Sequence, residues 1–451
     1  MRGIVTIELN ERLRPGINAP ISGFYSVGTI VNVVDSVLGD SYDSDDLWYK
    51  LSNGLYVWSG GVDVSADCSA LPLEDRDHYL ISYRKIHPDG RPNLDTKEPP
   101  DTLYFAPLRL PADSESIRVN PLPASVFAST VVQAVSKLAP QRKHVFIYIH
   151  GYQLFSSLKL DLLSSFVLNY MTHPDNTIAK VLFMAWPGQG GPSRKTVDDR
   201  SIRSGQQFTS HNLFSYFETL SEALKKEGRA LNLIVHSFGH QLLNGMLNPG
   251  AEHEAKIPES KIFENIFLMA PDVTHLTVKK EGATLRNYFK DKEGTDYHYD
   301  FSRLNQIGKQ VHVFHDKYDY LLYSSTKKFV EKGDLKKVKT PVERLAITAN
   351  YRNLGNYGAD KLAPDLPLVP PFHFHDIEEL ITKGETGDLI DYPFRTIRDR
   401  PRNDVDAVWE DANYDGINAG RIIFNAKRFP DHHRYLYTCK PVINKLLDLL
   451  I

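Results

Sequence analysis

Leu231-Asn-Leu-Ile-Val-His236-Ser237-Phe238-Gly239-His240-Gln-Leu-Leu-Asn-Gly-Met-Leu247 is the stretch that decides the fold. Its first five residues form a short, largely apolar run, the pattern of a strand covered on both faces. From Gly239 onward the period changes. Leu242, Leu243, Met246 and Leu247 fall at helical spacing, so the strand runs directly into an amphipathic helix. The turn between them reads x-His-Ser-x-Gly. A serine on such a strand-to-helix turn is held in a strained backbone conformation with its hydroxyl projecting from the top of the sheet. The helix N-terminus behind it favours developing negative charge. Val235 stands where the G-x-S-x-G pattern has its first glycine.

Working outward, similar apolar runs lie at 144–149, 181–186, 265–270 and 310–314, separated by stretches long enough for helices. Val126 to Leu138 has helical spacing. Short apolar strands alternating with helices predict a parallel sheet covered on both faces. Residues 66–124 are rich in Pro and Asp, with candidate strands at 79–83 and 102–105 and a loop over 91–101. The first 65 residues differ. Ile4 to Leu9 alternates, Thr29 to Val34 is β-branched, and Leu47–Leu51 meets Leu55–Trp58 across Ser52-Asn53-Gly54, a hairpin signal. The expected organisation is a small all-β barrel over 1–65, a turn-rich linker over 66–76 and an α/β domain over 77–451. That domain carries an insertion at about 325–420, Pro-rich at Leu362–Pro371 and charged at Arg395–Asp406.

The constellation around Ser237 points to acyl-transfer chemistry. The strand at 144–149 ends in His150-Gly151-Tyr152. An oxyanion hole needs one backbone N–H after the nucleophile and one from the loop following that earlier strand, which nominates Phe238 and Tyr152. The acid is expected in the loop after Val311–Phe314. Asp319 is the choice there, with Asp316 its local rival and Asp272, in Ala270-Pro271-Asp272, the distant one. The histidine comes last, before the apolar-periodic tail Val442–Leu450. His432 and His433 are both placed for it, after a run at Arg421–Phe424 that reads as the last strand. His373-Phe374-His375-Asp376 alternates as a strand or a metal site would. No Cys or acidic cluster at ligand spacing accompanies it, so neither a metal nor a cofactor is expected.

Composition narrows the partners. The 451 residues include 53 Lys plus Arg and 56 Asp plus Glu, a net charge of −3, with 41% apolar residues. A near-neutral balance carries no footprint for nucleic acid or an anionic membrane. The apolar runs are too short to span a bilayer. Two cysteines, Cys68 and Cys439, give no disulfide framework. The opening MRGIVTIELNERLRPG has no apolar core of signal-peptide length. A cytoplasmic protein is the expectation.

Two resemblances follow from these residues. Leu9-Asn10-x-Arg12-x-x-Pro15-Gly16, Val27–Val31 and Trp48-Tyr49-Lys50-Leu51-Ser52-Asn53-Gly54 resemble a bacterial SH3-type domain, which implies a peptide or protein partner. Residues from about 77 to 451 resemble a bacterial α/β-hydrolase family of uncharacterised esterase-like proteins. The matching motifs are Ile149-His150-Gly151-Tyr152, Leu182–Pro187, the loop Asp199–Gly205, His236–Gly239, Ala270–Val273, Asp316-x-x-Asp319 and His433-x-Tyr435. That resemblance implies an α/β-hydrolase fold and esterase-like activity on a small ester or acyl substrate. It also implies Ser237 as nucleophile, Asp319 as acid and, through its His-x-Tyr pattern, His433 as base. Peptidases and acyltransferases share the constellation. A degenerate scaffold that only binds is the alternative from another class.

Overall fold

In the computed structural model the apolar runs become adjacent strands of one sheet, and the amino-terminal alternation becomes a second sheet of opposite character. The structure describes residues 2–5, 7–26, 29–42, 45–63, 71–93, 102–112, 117–151, 160–187, 195–210, 212–249, 257–258, 260–279, 282–287, 295–316, 322, 353–358, 372–377, 379–380, 394–395, 406–407, 422–423, 429–430, 436 and 440–451. The chain divides into two compact units. One comprises Met1–Asp77, Leu108–Ser114 and Lys159–Asn176, and the other comprises the remaining residues.

In the first unit, strands β1 (Arg2–Val5), β2 (Leu9–Arg12), β3 (Ile21–Tyr25), β4 (Ile30–Tyr42), β5 (Asp45–Leu51), β6 (Tyr56–Trp58) and β7 (Val62–Asp63) form one sheet in the order β3-β2-β6-β5-β4-β1-β7. Every neighbouring pair in it is antiparallel. Alternation puts Val5, Val31, Val33, Leu51 and Val57 into a small core. The Asn53-Gly54 turn closes the β5–β6 hairpin, with the Asn53 Oδ1 accepting the Leu55 N–H at 3.1 Å. Within this unit Leu73–Arg76 forms a helical turn, and Arg76 and Leu110 exchange two hydrogen bonds of 2.7 and 3.0 Å. Helix Leu160–Met171 also belongs to this unit.

The second unit is built on a nine-stranded sheet. Its strands are β8 (Asp77–Ser82), β9 (Tyr104–Arg109), β10 (Asn120–Pro121), β11 (His144–Ile149), β12 (Ile178–Ala185), β13 (Ala230–His236), β14 (Phe263–Met269), β17 (Gly308–His315) and β18 (Phe372–Asp376). The order is β10-β9-β8-β12-β11-β13-β14-β17-β18. From β8 to β18 every neighbouring pair is parallel. A separate antiparallel hairpin pairs β15 (Ala283–Asn287) with β16 (Thr295–Tyr299). The chain leaves β11 for β12 on one side, while β13 leads to β14 on the other. Such a reversal opens a crevice at the carboxyl ends of the two strands where it occurs, here β11 and β13.

The longer helices of this unit are α1 (Ala124–Val135), α2 (Lys195–Ser210), α3 (Leu213–Lys226), α4 (Gly239–Leu247) and α5 (Lys440–Asp448). The helix after the serine departs from its amphipathic expectation, since every residue of α4 is buried. Its polar residues find partners instead: Asn244 donates to the His298 carbonyl of the hairpin at 3.0 Å. Asp199–Gly205, expected as a loop, lies within helix α2. The physical reason is contact between glycines. A Cβ on Gly205 would sit 2.1 Å from the Leu242 carbonyl oxygen, and one on Gly245 would sit 1.9 Å from that of Ile202. Only helices stripped of side chains at the crossing approach so closely. The run at 421–424 is not the sheet's last strand. Ile422–Ile423 pairs with Asp406–Ala407 in a two-stranded ribbon, whereas β18, inside the stretch read as an insertion, is the edge of the main sheet.

Candidate active site

Strand β13 ends at His236, and the next residue, Ser237, takes φ 51°. That left-handed conformation costs a non-glycine residue about 1–3 kcal/mol and persists only where its surroundings enforce it. The enforcement is visible. The Ser237 N–H donates to the Met269 carbonyl at 2.9 Å, and its own carbonyl accepts from the His240 ring at 2.6 Å and the His240 N–H at 3.1 Å. A carbonyl only accepts, so the His240 proton sits on Nδ1. One strand over, Ala270 also takes a positive φ, 46°, and its N–H donates to Phe314 at 3.0 Å. Val235 remains inside β13, buried and in register with Ile149 and Leu268.

The loop after β11 touches this turn. A Cβ on Gly151 would lie 2.9 Å from the Ser237 Cβ, and one on Gly239 would lie 2.7 Å from the His150 carbonyl oxygen. Both positions therefore demand glycine. Buried His150 donates from Nδ1 to the Gly151 carbonyl at 2.6 Å and stacks on Phe183 and Trp186. Trp186 in turn donates to the His150 carbonyl at 3.0 Å and stacks on Phe238. The start of one expected donor loop and the residue after the serine are thus fixed against each other.

On the other side of Ser237 lie two of the three candidate acids, Asp272 and Asp316, each 2% exposed. Segment 353–358 laces their loops together. Asn353 donates to Asp272 Oδ1 at 2.8 Å, the Gly355 N–H donates to the Pro271 carbonyl at 2.9 Å, and the Gly355 carbonyl accepts the Asp316 N–H at 2.8 Å. Gln241 of α4 donates to the Asp272 carbonyl at 2.7 Å. The structure therefore brings Ser237, Phe238, Gly151, Asp272 and Asp316 to one edge of the sheet. Tyr152, Asp319, His432 and His433 lie outside the described residues, as do Cys68 and Cys439. His373 and His375 lie on β18.

Residues 128–349 match the model of a family described as alpha/beta hydrolase of unknown function (DUF900). The chain carries an α/β-hydrolase domain. No curated protein matches the chain. Among the described residues, no helix is long and apolar enough to cross a membrane, and no group of three or more His, Cys, Asp or Glu is disposed to hold a metal ion.

Sequence reasoning missed the role of Asn353 and Gln241 in this hydrolase domain. Asn353-x-Gly355 is an Asx-type turn, with Asn353 Oδ1 accepting the Gly355 N–H at 2.9 Å. The turn has a sequence signal; its pairing with a carboxylate 81 residues away has none. Asn353→Ala removes a donor from a buried carboxylate and is expected to cost about 1–3 kcal/mol. Asn353→Asp should cost more, because two carboxylates then face each other. Chemical denaturation of both variants measures this, and an unchanged midpoint for both would mean that the clasp contributes nothing.

Proposed function

We propose that the protein is a serine hydrolase that cleaves a carboxylic ester or thioester through an acyl-enzyme on Ser237. The observation that carries this reading is the backbone of Ser237: φ 51° on a strand-to-helix turn, enforced from β14 and α4 and packed against Gly151. Backbone strain of that kind clusters at functional sites, and on a strand-to-helix turn it aims the serine hydroxyl out of the sheet.

In the reaction, His433 takes the Ser237 proton as the oxygen attacks the carbonyl carbon. The oxyanion rests on the amides of Tyr152 and Phe238, donors worth about 2.7–4 kcal/mol each in such sites. The bond to the leaving group breaks as His433 returns the proton to it. Water, deprotonated by the same histidine, then releases the acid. Asp319 orients His433 and stabilises its charged form. A fluorophosphonate at neutral pH should label Ser237. Its failure to do so on folded protein would favour a hydrolase fold serving only as a binding scaffold.

The base is tested separately. His433→Ala should match the loss caused by removing the serine, and His432→Ala should be milder, since members of a triad act as a unit. Steady-state kinetics on the two variants decide it, and the reverse order would move the base by one residue. The amino-terminal β unit is read as an SH3-like module that recruits a peptide or protein partner. In support, Ile21 and Phe24 are exposed beside a groove of about 380 Å³ that also takes in Glu8 and Asn10.

A further inference from the structure

Polar side chains cross the middle of the hydrolase sheet in an unbroken line. His375 of β18 contacts His312 of β17 (Nε2 to Nδ1, 3.2 Å), and His312 Nε2 contacts Asn265 Oδ1 of β14 at 3.4 Å. Asn265 Nδ2 donates to Asn232 Oδ1 of β13 at 3.1 Å, and Asn232 Nδ2 reaches His144 Nδ1 of β11 at 3.2 Å. A hydrogen bond also joins His144 to the backbone of Leu450, just beyond the carboxyl-terminal helix α5. Five adjacent strands are tied to the last turn of the chain.

The direction of every bond follows from the ends. Asn265 Oδ1 can only accept, so His312 carries its proton on Nε2 and offers Nδ1 as acceptor. His375 must then donate from Nε2. The Asn232 amide nitrogen can only donate, so His144 Nδ1 accepts and its Nε2–H points to the Leu450 carbonyl. All donors face the same way, and the line in this form needs His312 and His144 neutral. A proton added to His144 would set its Nδ1–H against the Asn232 amide hydrogen, and one added to His312 would set its Nδ1–H against the His375 Nε2–H and force that ring to shift its proton to Nδ1.

We propose that this His–Asn line is an acid-sensitive latch that holds the carboxyl-terminal helix against the sheet and opens when a histidine within it is protonated. The surroundings favour the neutral form. Burial, the largest cause, lowers His312 to about 3 and His144 and His375 to about 4. His375, His373 and Lys445 of α5 lower His312 further; Lys445, His373 and His315 do so for His375, and Lys143 for His144. Against these, Glu264 on β14 and the Leu450 bond raise His144. A base whose closed-state pKa lies below its open-state value of 6.5 leaves the closed state at full strength above that pH. It is lost as the pH falls from 6.5 towards 4, because only the open state binds protons there. The apolar face of α5, with Val442, Leu446 and Leu447 buried, and buried Leu450 beyond it then lose their polar anchor.

The test is hydrogen exchange of residues 442–451 in the full-length protein from pH 7.5 to 4.5, corrected for intrinsic exchange. If the three histidines act together, opening should rise by about a hundredfold or more per pH unit below 6, an uptake of two to three protons. His312→Gln keeps a donor and an acceptor in place of the ring without titrating, and should reduce that slope by about tenfold per pH unit. Nitrogen chemical shifts at pH 7.5 should show His144, His312 and His375 all protonated on Nε2. An uptake below one proton in the wild-type protein, a His312→Gln variant with the wild-type slope, or an Nδ1-protonated His312 would each overturn the latch. The wild-type readouts stand even if the variant fails to fold.

Discussion

Ser237→Ala is expected to abolish hydrolysis while the protein stays folded. Alanine and serine bear the same cost at φ 51°, so the exchange leaves backbone strain unchanged, and what disappears is the hydroxyl. A triad stripped of one member retains only the residual of about 10³–10⁴ over water that binding and oxyanion donors supply. Ser237→Gly separates chemistry from strain. Glycine enters the left-handed region freely, relieving about 1–2 kcal/mol. It gives back about 0.4–1 kcal/mol through the greater freedom of its unfolded chain. The glycine variant should therefore be as inactive as the alanine variant and somewhat more stable. Turnover of an activated ester and a thermal midpoint for each variant check both halves. Near-normal turnover in either would remove Ser237 from the mechanism.

The strands of the hydrolase sheet were legible because burial on both faces forces short apolar runs. The expected runs at 144–149, 231–235 and 310–314 became β11, β13 and β17 with boundaries shifted by at most two residues. The turn at Ser237 was legible for a different reason. A sharp strand-to-helix turn needs a small residue where it meets the neighbouring strand, and Gly239 marks that contact in sequence. What stayed hidden depends on pairing across long separations. Phe372–Asp376 alternates like an ordinary half-buried strand, and nothing in its own residues says that it joins β17 rather than a ribbon of its own. The burial of α4 on all sides was hidden too. It depends on α2 and the β15–β16 hairpin, and the sequence of α4 alone reads as one apolar stripe with a polar face.

That second covering of α4 leads to a large expected effect on stability. Gly245→Ala should destabilise the hydrolase domain even though alanine is the better helix former by about 1 kcal/mol. The added Cβ would lie 1.9 Å from the Ile202 carbonyl oxygen and 2.7 Å from its carbon, both backbone atoms that no rotamer change can move. Helices α2 and α4 must separate by more than an ångström. Overpacking of this kind typically costs about 1–3 kcal/mol, and Gly245→Val should exceed that range because its branch meets the same backbone. The damage reaches the chemistry, because α4 carries Ser237 at its amino end, where His240 and Gln241 fasten the turn. Activity should therefore fall with stability, unlike in Ser237→Gly. Gly205→Ala presses the same two backbones apart from the opposite side, at 2.1 Å from the Leu242 carbonyl oxygen. Once one substitution has opened the gap, the other finds room. The double variant should thus cost clearly less than the two single costs added together. Denaturation midpoints for the four proteins measure the coupling. A Gly245→Ala protein at or above the wild-type midpoint would mean that the helices yield freely at this crossing, and the glycine pair would then have no hold on the serine turn.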